Sequence, residues 1–535
     1  MRKFVLAAAA ALLAVPAAAQ ETPPPKLLVV ISVDQFSADL FDEYRPQFTA
    51  GLARLASGTV FDKAFQSHAN TETCPGHSTI LTGDHPSRTG IIGNTWIDQS
   101  VQRPDKVIYC AEDPHVPGSN HSDYKLSAMQ LRVPTLGELM KARWPASRNV
   151  AVAGKDRAAV MMSGHRVDQR WYWNGKTFAT DLAPAQAPAS VAGVDAAVAR
   201  ELSAPASGLQ PTPFCASKAR PIPVEGHAAV GAGNFARPAG DYDAFEASPE
   251  SDGAVLALAA GMVRDMRLGQ GSAPDLLSVG LSATDYVGHY YGTEGQEMCL
   301  QLLSLDRSLG DFLSYLDSTG VDYAVVLTAD HGGQDLPERA RLHGVSDAQR
   351  VDPALAASAV GKAVAARLGL TSPVLFGDVM GDMYVNHSLS AGDQARVLDE
   401  AIRAYRAHPQ VAAVFTHDEL ARTPVPTGDP QAWSLLQRAR ASFDAQRSGD
   451  FVVILQEHVT PIGHVKKSVA THGSPWDYDR RVPILFWRPG FSGATVMAPA
   501  DTVDIMPTLA ALIGLPVAQG SIDGHCLDGT PAACP

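Results

Sequence analysis

The sequence predicts an α/β fold with a mostly parallel central sheet flanked by helices. Two observations predict it. Five short apolar runs rich in β-branched residues recur along the 535-residue chain, and helical patterns lie between several of them. A continuous apolar run reads as a strand buried on both faces, as in a parallel sheet. Strands alternating with helices point to α/β architecture. The composition allows it, because 45% hydrophobic against 19% charged residues can build a sizeable core. Neither heptads nor a fixed-period repeat is visible, which disfavours coiled coils and solenoids.

Residues 1–19 (MRKFVLAAAAALLAVPAAA) come first. Arg2 and Lys3 form a basic start, Phe4–Val15 is apolar, and Ala17-Ala18-Ala19 offers small residues for cleavage. This predicts a secretory signal peptide cut after Ala19, and a periplasmic or secreted protein. The apolar stretch is too short to span a bilayer of about 30 Å, so no stable membrane anchor is expected. Residues 20–25 (QETPPP) read as a linker.

Then comes Lys26–Val33, the first buried strand, in a catalytic domain expected over 26–515. Similar runs follow at Asn149–Gly154, Leu276–Ser282, Tyr323–Thr328 and Val482–Trp487. Helical patterns cover Gln296–Leu316 and Thr502–Ile513. Segments at about 165–250 and 350–465 lack long apolar runs and read as caps inserted into the core. The tail, 516–535, is rich in Gly and Pro and carries Cys526 and Cys534, the pair best placed for a disulfide. Six cysteines in all, an even number, suit an oxidising compartment.

The net charge of -13, from 43 basic and 56 acidic residues, argues against a partner that is a nucleic-acid polymer. It leaves room for a small phosphate substrate in a locally positive site.

Unusual polar residues follow the strands. Asp34 follows the first. Asp285 and, four residues on, His289 follow the third. Asp330 and His331 follow the fourth, and His472 lies in the loop before the fifth. Ligands of open α/β sheets bind at the carboxyl ends of strands. Each Asp alone reads as a helix cap or turn former, and each His as an ordinary surface or core residue. Together, three carboxylates and three imidazoles make a donor set for two divalent ions, of a type that suits zinc.

The segment Asn70–Gly83 (NTETCPGHSTILTG) supplies a nucleophile candidate. Pro75 favours helix entry, which puts Thr73 at a helix N-terminus, where an anion is welcome. A threonine hydroxyl attacks only when activated, for example by a metal. By itself Thr73 reads as a helix-capping residue rather than a nucleophile. No thiol-enzyme pattern surrounds Cys74, which can instead be a disulfide partner.

The set Asp34, Thr73-Cys74-Pro75-Gly76-His77, Asp285-x-x-x-His289, Asp330-His331-Gly332 and His472-Gly473 resembles the alkaline phosphatase superfamily. It is most similar to the branch of nucleotide pyrophosphatases/phosphodiesterases and PafA-type alkaline phosphatases. Residues 501–514 (DTVDIMPTLAALIG) also resemble that superfamily's closing helix. The resemblance implies two Zn2+. Asp34, Asp330 and His331 would hold one, with Thr73 as its bound nucleophile. Asp285, His289 and His472 would hold the other. It further implies that Asn94 donates to a phosphoryl oxygen and that Lys155 and Arg157 match the Lys-x-Arg pair of the monoesterases. A monoester carries two charges and three non-bridging oxygens, so added cations fit it. The implied activity is hydrolysis of small-molecule phosphate monoesters through a phosphothreonine. A phosphodiesterase or nucleotide pyrophosphatase on the same bimetal core is the alternative. An arylsulfatase is disfavoured, because its Cys/Ser-x-Pro-x-Arg motif is missing around Thr73.

Overall fold

The computed structural model describes residues 23–183, 187–371 and 373–534. The expected signal peptide and the first residues of the linker lie outside these. Among the described residues, no helix is long and apolar enough to cross a membrane.

A nine-stranded sheet forms the centre. Its order is Thr495–Val496, Thr59–Phe61, Ile484–Trp487, Tyr323–Thr328, Leu27–Val33, Asp275–Leu281, Asn149–Ala153, Gln169–Trp173, Phe178–Ala179. The five strands from Tyr323–Thr328 to Gln169–Trp173 are parallel. Leu27–Val33 lies in the middle and is buried at every residue, as its unbroken apolar run requires. The two faces carry separate cores. Val29, Ile31 and Leu277 pack against Leu302 and Leu309 of the long Gln296–Ser318 helix. Leu28, Val30 and Leu276 pack with Ile80, Met506 and Leu509 on the other face.

The Ile484–Trp487 strand runs antiparallel to Tyr323–Thr328. Its amino end therefore lies level with the carboxyl ends of the parallel strands. This is why the loop before it, which carries His472, reaches the same edge as the loops after the others.

Residues 169–179, read above as the start of a cap, add two strands to the central sheet. The 350–465 segment contains a four-stranded sheet of its own, ordered Leu375–Phe376, Gly381–Val385, Phe451–Leu455, Val411–Thr416. Met383, Val397, Tyr405 and Phe451 belong to a separate apolar cluster there. Three disulfides are formed: Cys74–Cys110, Cys215–Cys299 and Cys526–Cys534.

Candidate metal and phosphate site

Every metal-ligand candidate read from the sequence arrives at one end of the sheet. Asp34 and Asp330 directly follow the Leu27–Val33 strand and the Tyr323–Thr328 strand with its Ala329. Asp285 and His289 lie four apart on the Ala283–Tyr291 helix, so they share a face. Asp285 Oδ1 stands 3.4 Å from His289 Nε2 and 3.3 Å from His472 Nε2. These three residues form one cluster able to hold a cation.

Asp34 and Asp330 form the second cluster, with His77 between them. His77 Nε2 is 3.3 Å from Asp34 Oδ1, and its Nδ1 is 3.3 Å from Asp330 Oδ2. The sequence reading gave His77 no role. Its ring is reached because the Thr73–Thr82 helix puts it one turn above Thr73, whose carbonyl lies 2.9 Å from Nδ1. His331 borders the same cluster, with Nε2 3.2 Å from Asp330 Oδ2 and its ring stacked on His472 at 3.6 Å.

The imidazoles are oriented from behind. Nδ1 of His289 lies 2.9 Å from the Ala470 carbonyl, that of His331 2.8 Å from Gly332, and that of His472 2.9 Å from Thr71. A proton on each Nδ1 leaves the Nε2 lone pair facing the carboxylates, the tautomer that a metal needs. Asp34 Oδ1, Asp330 Oδ2 and His331 Nε2 are buried without a hydrogen bond. Buried polar atoms are normally paired, so these atoms have bonding capacity directed at one another and at the space between. Three buried carboxylates also need compensating positive charge. The residues therefore fit a site for divalent cations. Burial opposes ionisation of Asp330, but His331 and His77 outweigh it and hold the carboxyl well below its ordinary range. Lys155 and His289 do the same for Asp285.

The Thr73 helix is pressed onto this centre. A Cβ on Gly76 would lie 1.9 Å from the Asp330 carbonyl oxygen, so only glycine permits the approach. Thr73 is the first helical residue, after Glu72, and is buried. Asn94 sits beside the same turn: its Oδ1 accepts the Cys74 amide at 2.8 Å and its own amide donates to Glu72 at 2.6 Å.

Lys155 lies among the metal-ligand candidates. Its Nζ is 2.5 Å from Asp285 Oδ2 and 3.0 Å from Asp34 Oδ2, bridging the two clusters. Arg157 follows on the first turn of the Asp156–Ser163 helix, beside Tyr109 and Tyr286. Gln35 is a further participant that sequence did not flag. Its amide donates to Asp330 Oδ1 at 3.1 Å and its Nε2 to Asp285 Oδ1 at 3.3 Å. It adopts a φ of 62°, a left-handed conformation unusual for a glutamine. No sequence signal marks such a residue.

The sequence profile of the type I phosphodiesterase/nucleotide pyrophosphatase family matches residues 28–475. The chain is 52% identical over 503 residues to alkaline phosphatase PhoK of a Sphingomonas species, covering 93% of this chain and 90% of that protein. It is 48% identical over 513 residues to alkaline phosphatase PhoD of Zymomonas mobilis, covering 94% and 88%. The crystal structure of wild-type alkaline phosphatase PafA superposes with a TM-score of 0.82 at 24% identity, covering 94% of this chain and 99% of that one. The chain belongs to the type I phosphodiesterase/nucleotide pyrophosphatase family of the alkaline phosphatase superfamily, on its PafA-type alkaline phosphatase branch.

Proposed function

We propose that the protein is an alkaline phosphatase that hydrolyses small-molecule phosphate monoesters, with Thr73 as nucleophile. The observation that carries this reading is the pair of carboxylate–imidazole clusters, each able to hold a cation, beside the N-terminal turns of the Thr73–Thr82 helix. The close identity to two alkaline phosphatases supports it as well. Carboxylate and imidazole donors suit zinc, so two zinc ions would occupy these clusters. Asp34, Asp330 and His331 would hold one, together with Thr73, and Asp285, His289 and His472 the other. When bound, they supply Lewis-acid stabilisation of charge on the attacking and leaving oxygens.

The protein's own groups do the rest. The Thr73 hydroxyl gives its proton to solvent, its oxygen forms the bond to phosphorus, and the bond to the ester oxygen breaks, that oxygen taking up a proton from solvent as the alcohol leaves. The helix N-terminus behind it favours the developing negative charge. Asn94 Nδ2 donates to one non-bridging oxygen, and Lys155 and Arg157 balance charge on the others, so that positioning and electrostatics carry the reaction. Water then cleaves the phosphothreonine and releases inorganic phosphate. Export by the N-terminal signal sequence would place the enzyme outside the cytoplasm, consistent with its three disulfides.

Initial rates on p-nitrophenyl phosphate and bis-p-nitrophenyl phosphate, before and after chelation, test the assignment. A monoester preference that dies with chelator and returns with zinc is expected. A diester preference would overturn it in favour of a phosphodiesterase.

A further inference from the structure

One short hairpin touches both halves of the phosphate site. Its strands, Thr95–Ile97 and Val107–Tyr109, pair antiparallel. At its start, Asn94 accepts the Cys74 amide through Oδ1 and the Cys110 amide, 2.9 Å away, through its carbonyl. At its end, the Cys74–Cys110 disulfide fastens it to the first turn of the Thr73 helix. The residue before Cys110 reaches the other half: Tyr109 donates its hydroxyl to Asp156 Oδ1 at 2.7 Å. Tyr124 donates to the other oxygen, Oδ2, at 2.5 Å, and the two phenol rings lie 4.5 Å apart.

Asp156 sits between Lys155 and Arg157 at the start of its helix. Its carboxylate is the nearest anion in sequence to the Arg157 guanidinium and the obvious group to capture it. Both carboxylate oxygens instead accept from phenols, Oδ1 also accepts the Arg157 backbone amide at 2.6 Å, and the Tyr109 phenol is within hydrogen-bonding reach of the guanidinium. Arg157 Nε is buried without a hydrogen-bond partner. An arginine side chain is long and flexible, and its value as a bidentate donor depends on being held in place.

We propose that Tyr109, both directly and through Asp156, is a positioning residue for Arg157, and that the hairpin fixed by Cys74–Cys110 thereby sets the spacing between Thr73 and the guanidinium. The preference for monoesters would then reside in a tyrosine that does not touch substrate. This inference rests on the reading that Arg157 binds the phosphoryl group.

The test uses the full-length mature enzyme, Tyr109→Phe, Arg157→Ala and the double variant, with kcat/KM on p-nitrophenyl phosphate and its bis-ester and the Ki of inorganic phosphate. Tyr109→Phe is expected to lower the monoester-to-diester ratio about tenfold and to raise the phosphate Ki by a similar factor. It should change neither further in the Arg157→Ala background. Equal loss on both esters, or full additivity in the double variant, overturns the proposal. If Arg157→Ala shifts the ratio and Tyr109→Phe does not, only this inference falls. If Arg157→Ala leaves the ratio unchanged, the underlying role of Arg157 falls first. Should Tyr109→Phe not fold, Tyr124→Phe removes the other phenol from Asp156 and is read in the same way.

Discussion

The Asn94 side-chain oxygen accepts the backbone amide of Cys74, 2.8 Å away, at the first turn of the helix that begins with Thr73. An amide N–H can bond only to the oxygen end of the asparagine, so the contact fixes which end is free. Nδ2, with its two N–H donors, is the end that would face a phosphoryl oxygen in the proposed mechanism.

Asn94→Ala should therefore lower kcat/KM for p-nitrophenyl phosphate by about 10²-fold, the usual cost of one preorganised oxyanion donor. Asn94→Asp should fall further, because it replaces the donor with a negative charge. Steady-state kinetics checks the order. An aspartate variant more active than the alanine variant would contradict the donor role.

Gly76→Ala should be destabilising. Its Cβ would fall 1.9 Å from the Asp330 carbonyl oxygen and 2.6 Å from its carbon, which are backbone atoms at a strand end and cannot swing away. Overpacking of this kind costs about 1–3 kcal/mol. The Thr73 turn must also shift relative to Asp330, so activity should fall more than stability does. Thermal melts together with kinetics read the two effects.

Lys155 bridges Asp285 and Asp34. Lys155→Met leaves those buried carboxylates without their cation, a costly change unless another positive charge replaces it. In chelator, the variant should melt lower than the wild type. Added zinc should then raise its Tm by more than it raises the wild type's. Equal zinc-dependent gains would place Lys155 outside the charge balance of the clusters.

His85 predicts alkaline lability of the tail. Its ring lies 2.9 Å from Asp523 Oδ2, 2.9 Å from Ser67 Oγ and 3.2 Å from Asp501 Oδ2. Asp84 and Arg88 flank the same network, and His68 faces it. Burial disfavours the imidazolium, but the carboxylates of Asp501 and Asp523 outweigh it and push the pKa up to about 10. The folded value lies above the unfolded one, about 6.5. The stabilisation is thus complete below about pH 6.5 and is lost as pH rises through about 10. Melting temperature should decline over that window by more in the wild type than in His85→Gln. Parallel declines would remove His85 as the cause.

Much of the site could be read from residue order. Asp34, Asp285, Asp330 and His331 follow unbroken apolar strands, and such strands must end at one edge of a parallel sheet. His472 was harder, because it precedes its strand. It reaches the same edge only because Ile484–Trp487 runs antiparallel, a feature that an apolar run does not disclose. His77 and Gln35 were missed for different reasons. His77 depends on how closely a glycine lets its helix approach Asp330, and Gln35 on a left-handed backbone. The first cap segment begins with a strand of the central sheet: Gln169–Trp173 opens with two polar residues, Gln169 and Arg170, and so lacks a continuous apolar run, yet it joins the sheet near its edge. Of the three disulfides, only the short-range pair Cys526–Cys534 had a local signal. Cys215 and Cys299 are separated by 84 residues and meet only in the fold.

The central claim is that Thr73 carries the phosphoryl group. Rapid acid quench of the zinc-loaded enzyme with p-nitrophenyl phosphate, followed by peptide mass spectrometry, tests it most directly. The account predicts one phosphorylated peptide, modified at Thr73, and neither label nor turnover in Thr73→Ala. Turnover that persists in Thr73→Ala, or phosphate found on another residue, would contradict it.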